Sequence, residues 1–266
     1  MEIFPSIGRR CNNGWGWYKT TPPTSTMEQL NTNNKTILGI TAHPDDHVCY
    51  AGTILKLQKQ GYSYVEVVLS DAEESGMIKD GERVVAVEKS EQLNIRWNHE
   101  FALARKLLDI KEVHRMKLPN LGIEYSKESV MSLMEIVRRV RPEIALIHHP
   151  EDYMSDHIQA SYLSLEALKV SSYSFRLDLG KNHRTPRVYY FEGVSPIDAD
   201  VLVDITEEFS QKIEVLEVYG SQFGDRAHQL IDGTTAYRGY PRRVKHAEAF
   251  EIPKNYPQWE IGEMYD

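Results

Sequence analysis

From Lys35 onward, short runs rich in β-branched residues alternate with stretches of helical pattern, and no other feature restricts the fold as strongly. KTILGITA is followed by VCYAGTILKLQKQG, a helical pattern that stops at Gly61, and YVEVVLSD (64–71) reads as a second strand. EFALARKLLDI (100–110) is helical and EVHRMKLP (112–119) a candidate strand. KESVMSLMEIVRRVRP (127–142) is an amphipathic helix stopped by Pro142, and EIALIHHP (143–150) is an apolar strand with a polar end. A helix around 156–170, strands in RVYYFEGV and DVLVDI, and a helix from about Glu207 to Val218 complete the pattern. Such alternation predicts βαβ units. Strand interiors that are almost continuously apolar predict a parallel sheet covered on both faces. The expected fold is therefore α/β and Rossmann-like, three layers (α/β/α) around a mostly parallel sheet.

Two segments fall outside the pattern. Residues 1–34 carry TTPPTST, NTNNK and the aromatics Trp15, Trp17 and Tyr18, and are expected to form an N-terminal arm beside a domain spanning 35–266. The arm is also the candidate for contacts between copies in a homo-oligomer. The charged stretch from Ala72 to about Asn94 lacks a steady period and is expected to be a long loop carrying some helix, most simply solvated, with a substrate lid beside the second strand end as the alternative.

Composition narrows the function classes. A formal net charge of −8 gives no basic footprint for nucleic acid or anionic lipid. The two cysteines, Cys11 and Cys49, form no CxxC and no disulfide framework. Cys49 falls inside a predicted helix, where an inert buried thiol is expected rather than a nucleophile. No run approaches the roughly 18 apolar residues of a membrane span, and the N-terminal stretch lacks a signal-peptide core. A cytoplasmic protein with no membrane span and no nucleic-acid partner is expected. Neither a GxSxG elbow nor a glycine-rich phosphate loop is present.

In an open parallel sheet, ligands bind beyond the carboxyl ends of the strands. Two polar clusters fall at that edge: HPDDH (43–47) after the first strand and HHPEDYMSDH (148–157) after the fourth. The three-residue spacing of His43 and Asp46 brings an imidazole and a carboxylate to one side, with Pro44 fixing the turn between them. His157 is the natural third ligand from the other cluster. Two histidines and a carboxylate, with water in the fourth position, is a catalytic zinc pattern, and the ion would lower the pKa of that water towards about 7. Asp45, next to a ligand without being one, is placed to take the proton from it as general base. Asp152 and Asp156 are candidates to orient the ligand histidines. A competing reading needs no metal: Asp45 caps the following helix and Asp46 sits in its dipole-favoured first turn.

AHPDD after an apolar strand, DYxxDH after a later strand and SQ at a helix end, with LSDAEESG, EFALARKLLDI, KIEVLEVYGSQF and the late HAEAF in order, resemble the PIG-L/LmbE-like family over about Lys35 to Ile252. The resemblance implies a zinc-dependent de-N-acetylase acting on a small N-acetylated sugar or glycoconjugate. By position it implies one Zn2+ ligated by His43, Asp46 and His157, with Asp45 as base. Ser221 and Gln222 match the family's SQ pair near the pocket; a satisfied helix C-cap is the alternative. His246, Glu248 and Phe250 match a C-terminal segment, for which packing in a helix or loop is the simpler reading.

Three departures from the family pattern stand out. Met154 occupies the place of a histidine that steadies the oxyanion or protonates the leaving amine, and a thioether does neither. His47 replaces a glutamate, and Tyr219 a histidine. His47, His148 or His149 is a candidate to take over the acid role. The alternative is a zinc-containing carbohydrate-binding or regulatory protein with weak catalysis. For His148 and His149 the simpler reading is strand-end residues bonded to backbone; for His47 it is a solvated first-turn residue.

Overall fold

The run TILGIT forms β1 (Thr36–Thr41), buried along its whole length because both of its faces meet apolar layers. Leu38 and Ile40 point into one core, Ile37 into the other. The computed structural model describes residues 35–72, 77–79, 82–84, 91–224 and 226–257. After β1, a 3-10 turn (Asp46–Tyr50) leads into α1 (Ala51–Lys59), which ends before Gly61, whose φ of +89° suits a residue without a side chain. There follow β2 (Ser63–Ser70), the short β3 (Met77–Lys79) and β4 (Glu82–Val84), α2 (Glu91–Leu107), β5 (Ile110–Leu118) and α3 (Lys127–Val140). Then come β6 (Ile144–His148), α4 (Ser155–Ser171), β7 (Arg187–Phe191), β8 (Val201–Asp204), α5 (Phe209–Val218), α6 (Arg226–Gly239) and β9 (Ala247–Glu251).

Among the described residues the main sheet has seven strands in the order β5-β2-β1-β6-β7-β9-β8. The first five are parallel neighbours, and β9 runs antiparallel between β7 and β8. Helices α3 and α4 cover one face through Leu133, Val137, Leu163 and Leu168. Helices α1, α2 and α5 cover the other through Ile54, Ala104 and Leu216. The three-layer, mostly parallel architecture expected from the sequence is present. The chain runs outward from β1 to β2 and β5, then returns to β6 on the other side of β1. The carboxyl ends of β1 and β6 therefore flank the point where strand order reverses, the usual ligand crevice of such sheets.

The sequence reading needs correction in three places. Within the expected loop of 72–94, β3 and β4 pair as an antiparallel hairpin, and α2 starts at Glu91 rather than near residue 100. The buried apolar residues within α2 are Trp97, Phe101 and Ala104, and its first turn, EQLN, adds a single leucine to a charged run that reads as loop. Helix α6 has no counterpart in the expectation; Gly233 and the Thr234–Thr235 pair are weak helix formers that hide it. HAEAF, expected to pack as helix or loop, supplies strand β9. Its alternating Ala and Glu are poor strand formers, and tertiary burial overrides them. The expected arm, residues 1–34, lies outside the described residues. No helix among the described residues is long and apolar enough to cross a membrane.

Glu248 of β9 explains why that strand matters to the edge of the sheet. Its carboxylate accepts the Gly52 and Thr53 N–H groups at 2.9 and 2.7 Å, closing the open N-terminus of α1. The buried Lys212 ammonium of α5 donates to the same carboxylate at 2.6 Å and to the Val48 and Cys49 carbonyls at 2.6 and 2.9 Å. One buried ion pair thus ties the turn after β1 to both C-terminal elements. Glu248→Ala strands the ammonium and two helix N–H groups, and should lower unfolding free energy by about 3–5 kcal/mol in a denaturant titration. Glu248→Gln, which keeps the acceptor, should lose less.

Candidate metal centre

The two strand-end clusters meet. Ala42, the residue after β1, donates its N–H to His148 Nε2 at the end of β6 (3.0 Å), so the two strand ends are joined by a direct hydrogen bond. Asp46 then folds back on its own turn: its Oδ2 accepts the His43 N–H at 2.7 Å. The same oxygen lies 3.0 Å from His148 Nε2, and Oδ1 lies 3.2 Å from His157 Nε2. His157 reaches this point from the first turn of α4.

His43, Asp46 and His157 are buried, and one ligand-type atom from each lies within 4.8 Å of the others. Each imidazole is fixed from behind by a carboxylate. Asp156 Oδ2 is 3.2 Å from His43 Nε2, and Asp152 Oδ1 is 3.1 Å from His157 Nδ1. Those carboxylates are themselves held: Asp156 accepts the Leu121 and Ile123 N–H groups, Asp152 those of Met154 and Val194. Gly193 makes room for this, since a Cβ there would lie 2.5 Å from Asp152 Oδ2. The inward-facing nitrogens are then Nδ1 of His43 and Nε2 of His157, and the latter is buried without a hydrogen bond. Two imidazoles, one carboxylate and an orphaned nitrogen suit a zinc-like ion.

A second combination, His148, Asp152 and His157, also converges. It fits less well, because Asp152 is saturated and His148 Nε2 already accepts from Ala42. Burial pushes His148 down to about 4, so it stays neutral. Burial opposes a charged His157 too, but Asp46 and Asp152 outweigh it and raise the group to about 10. Asp46 is held well below the ordinary carboxylate range by His157 and His148 against the cost of burial. Asp45 moves the other way: burial and the adjacent Asp46 charge raise its carboxyl.

Asp45 separates the two readings of HPDD. It stands at the cap position of the 3-10 turn, yet its side chain makes no capping hydrogen bond. Its half-buried carboxylate instead lines a pocket of about 310 Å³, with His43, Asp46, His157 and Met154 also in the wall. Cys49 lines it as well, with its thiol kept protonated by burial.

Of the residues expected to replace the missing histidine, none lines this pocket. His148 lies behind Asp46. His149 Nδ1 accepts the Glu151 N–H and its Nε2 meets Glu251 at 3.0 Å, which is the simpler strand-end role. His47 is not solvated but fully buried beneath the turn, between Glu66 and Tyr219. Two departures from the family pattern, 172 residues apart, are thus neighbours in space. Ser221 does not reach the pocket; its N–H and Oγ hold Glu100, which does, and Gln222 lines the wall while donating to Ser221. Trp97, Glu100 and Asn120 are lining residues absent from the sequence-based set. Position could have found Asn120, just past β5 at the ligand edge; Glu100 sits in a helix face that reads as solvated.

Residues 38–168 match the family model for PIG-L, GlcNAc-PI de-N-acetylase. A diacetylchitobiose deacetylase of Thermococcus kodakarensis is 27% identical over 205 residues, covering 74% of this chain and 73% of the relative. A 4-oxalmesaconate hydratase of Pseudomonas putida is 28% identical over 210 residues, covering 76% and 79%. Among solved structures, the N,N'-diacetylchitobiose deacetylase of Pyrococcus horikoshii shares the fold with a TM-score of 0.70 at 23% identity, over 83% of this chain and 84% of that one. The matched segment runs from β1 through α4 and contains both strand-end clusters, and over it the chain carries a PIG-L (LmbE-like) domain.

Proposed function

We propose that this protein is a metal-dependent hydrolase that removes an acetyl or similar acyl group from an N-acetylated amino sugar or its conjugate, with one Zn2+ held by His43, Asp46 and His157. The observation that carries the reading is the convergence of these three side chains on one pocket that Asp45 also lines. Bound there, the ion would supply Lewis acidity, lowering the pKa of a water and polarising the amide carbonyl.

The chain's own residues supply the proton transfers. Asp45 takes the proton from the attacking water as the water oxygen bonds to the acyl carbon. It returns the proton to nitrogen as the C–N bond breaks, leaving a carboxylic acid and an amine; the acid's remaining proton then passes to the amine, giving carboxylate and ammonium. A carboxyl raised by burial and by Asp46 suits both steps, since it accepts a proton and holds it long enough to give it back. Asp156 and Asp152 keep the two imidazoles in one orientation. Met154 contributes wall and no proton, and no other histidine takes over its place, so Asp45 serves both transfers. The binding-only alternative rests on Met154 alone and is not favoured, because His43, Asp46 and His157 converge on a pocket that Asp45 also lines. Cysteine usage puts the enzyme in a reducing cytoplasm in this reading.

Similarity to a hydratase supports a second reading, addition of water to an unsaturated acid. An acid substrate calls for cationic side chains, and the described lining carries Asp45, Asp46 and Glu100 but no lysine or arginine. A neutral amide fits that wall better.

Acetate release from a panel of N-acetylated amino sugars tests the reading. No turnover by zinc-replete protein, with hydration of an unsaturated dicarboxylate instead, would replace it with the second. Asp45→Asn should lower kcat by roughly 10²- to 10⁴-fold while metal content, measured by plasma emission, stays at the wild-type level. His157→Ala should lose the metal. In metal-free protein the raised His157 proton must leave before the nitrogen can bind an ion. Its contribution to stability is full below the unfolded value near 6.5 and fades as pH rises through about 10. Apparent zinc affinity should accordingly climb about tenfold per pH unit between pH 6 and 8 in a chelator competition; a flat profile would contradict the assignment.

A further inference from the structure

The turn that carries Asp45 rests on a buried polar chain with no part in the proton transfers above. Tyr219 ends α5, and its hydroxyl donates to the Pro44 carbonyl at 2.8 Å. The same oxygen lies 3.1 Å from His47 Nε2, and His47 Nδ1 lies 2.9 Å from Glu66 Oε1. His47 and Glu66 have no exposed surface, and Tyr219 is only 2% exposed.

Hydrogen-bond capacity fixes the direction of this chain. A carbonyl only accepts, so the single phenolic proton goes to Pro44. For the second short contact to be a hydrogen bond, the Tyr219 oxygen must accept, and His47 Nε2 must carry the proton. Glu66 Oε1 meets the opposite ring nitrogen, and that contact needs a second proton, on Nδ1 or on the carboxyl, to be the hydrogen bond that holds the imidazole in place. The order is Glu66, His47, Tyr219, Pro44 carbonyl, and the next residue is Asp45. His47 therefore has no proton free for a substrate.

Asp45 depends on its backbone more than its neighbours do. The Asp46 carboxylate accepts the His43 N–H and packs against His148 and His157, and His43 meets Asp156. The Asp45 carboxylate makes no capping bond, so its aim follows the peptide on either side of it. On the far side the Asp45 carbonyl accepts the Val48 N–H at 3.1 Å; on the near side stands the Pro44 carbonyl. We propose that Tyr219 is a positioning residue: its hydroxyl clamps the Pro44 carbonyl and aims Asp45, and the His47–Glu66 pair keeps that hydroxyl pointed at Pro44. The kinetic half of this inference rests on the function proposed above; the clamp itself does not.

Tyr219→Phe removes one oxygen and leaves the ring. With the N-acetyl sugar that the wild type turns over best, kcat should fall about tenfold or more, with KM within about twofold and zinc content unchanged. In metal-free protein, hydrogen–deuterium exchange of the peptide covering 44–48 should quicken while that of α1 stays at the wild-type rate. The exchange result stands even if no acetylated sugar proves to be a substrate, so the two proposals fail separately. His47→Gln keeps a donor towards Tyr219 and should retain most of the activity, whereas His47→Leu should match Tyr219→Phe. Unchanged exchange at 44–48 in Tyr219→Phe would overturn the clamp. Equal losses in His47→Gln and His47→Leu would overturn the role given to the imidazole proton, and joint loss of zinc, KM and thermal stability would reduce Tyr219 to a packing residue.

Discussion

The carboxylate of Asp46 holds the two halves of the site together. One oxygen closes its own turn through the His43 N–H and faces His148 at the end of β6, and the other faces His157 from α4. Removing three polar side chains from water is costly unless each finds a partner, and here each partner belongs to a different element. The pocket is therefore a consequence of the strand-order reversal between β1 and β6, made specific by one short side chain. Around it, Asp152 and Asp156 finish the network by anchoring to backbone N–H groups rather than to other flexible side chains. That anchoring gives the imidazoles fixed tautomers without relying on solvent.

Much of this was legible in the sequence. The alternation after Lys35 implied the layered sheet because parallel strands must be apolar on both sides, and TILGIT and EIALIH satisfy that. The two clusters were legible because strand ends at one edge converge whatever the intervening chain does. The hidden parts are those in which tertiary partners override local preference. AEAFE is a strand because it is flanked by β7 and β8 and because Lys212 neutralises Glu248. Helix α6 carries no apolar stripe strong enough to announce it. Glu66 lies in a run that reads as uniformly apolar burial, and only the folded chain reveals an imidazole opposite it.

His47 illustrates the limit of reading a motif one residue at a time. Adjacent to two carboxylates and near the edge of the sheet, it looks available for chemistry. It lies in a five-residue 3-10 turn that carries it inward, and it has no exposure at all. The family's departures at positions 47 and 219 then cease to be independent: they are the two ends of one contact. Met154, by contrast, meets no compensating group. Its place in the pocket wall is apolar, and whatever the lost histidine did must be done by residues already present or by the substrate itself.

Charge in the pocket bears on that last point. The described wall offers carboxylates on Asp45, Asp46 and Glu100, and Glu100 is pinned by two donors from Ser221, with the Arg96 guanidinium 3.6 Å from it. Away from the proposed ion, Asp45 and Glu100 favour a neutral substrate over an anionic one. An amine released by hydrolysis takes up a proton and becomes a cation, which the same carboxylates stabilise. In the reaction proposed above, Asp45 would work with the surrounding field when it hands its proton to the departing nitrogen, because that step moves positive charge onto a group facing negative ones. A histidine at 154 would add a donor, but it would also add a further positive charge beside the proposed ion and its histidine ligands. In our reading the loss at 154 is tolerable for that reason: the field of the pocket already favours the protonated leaving group.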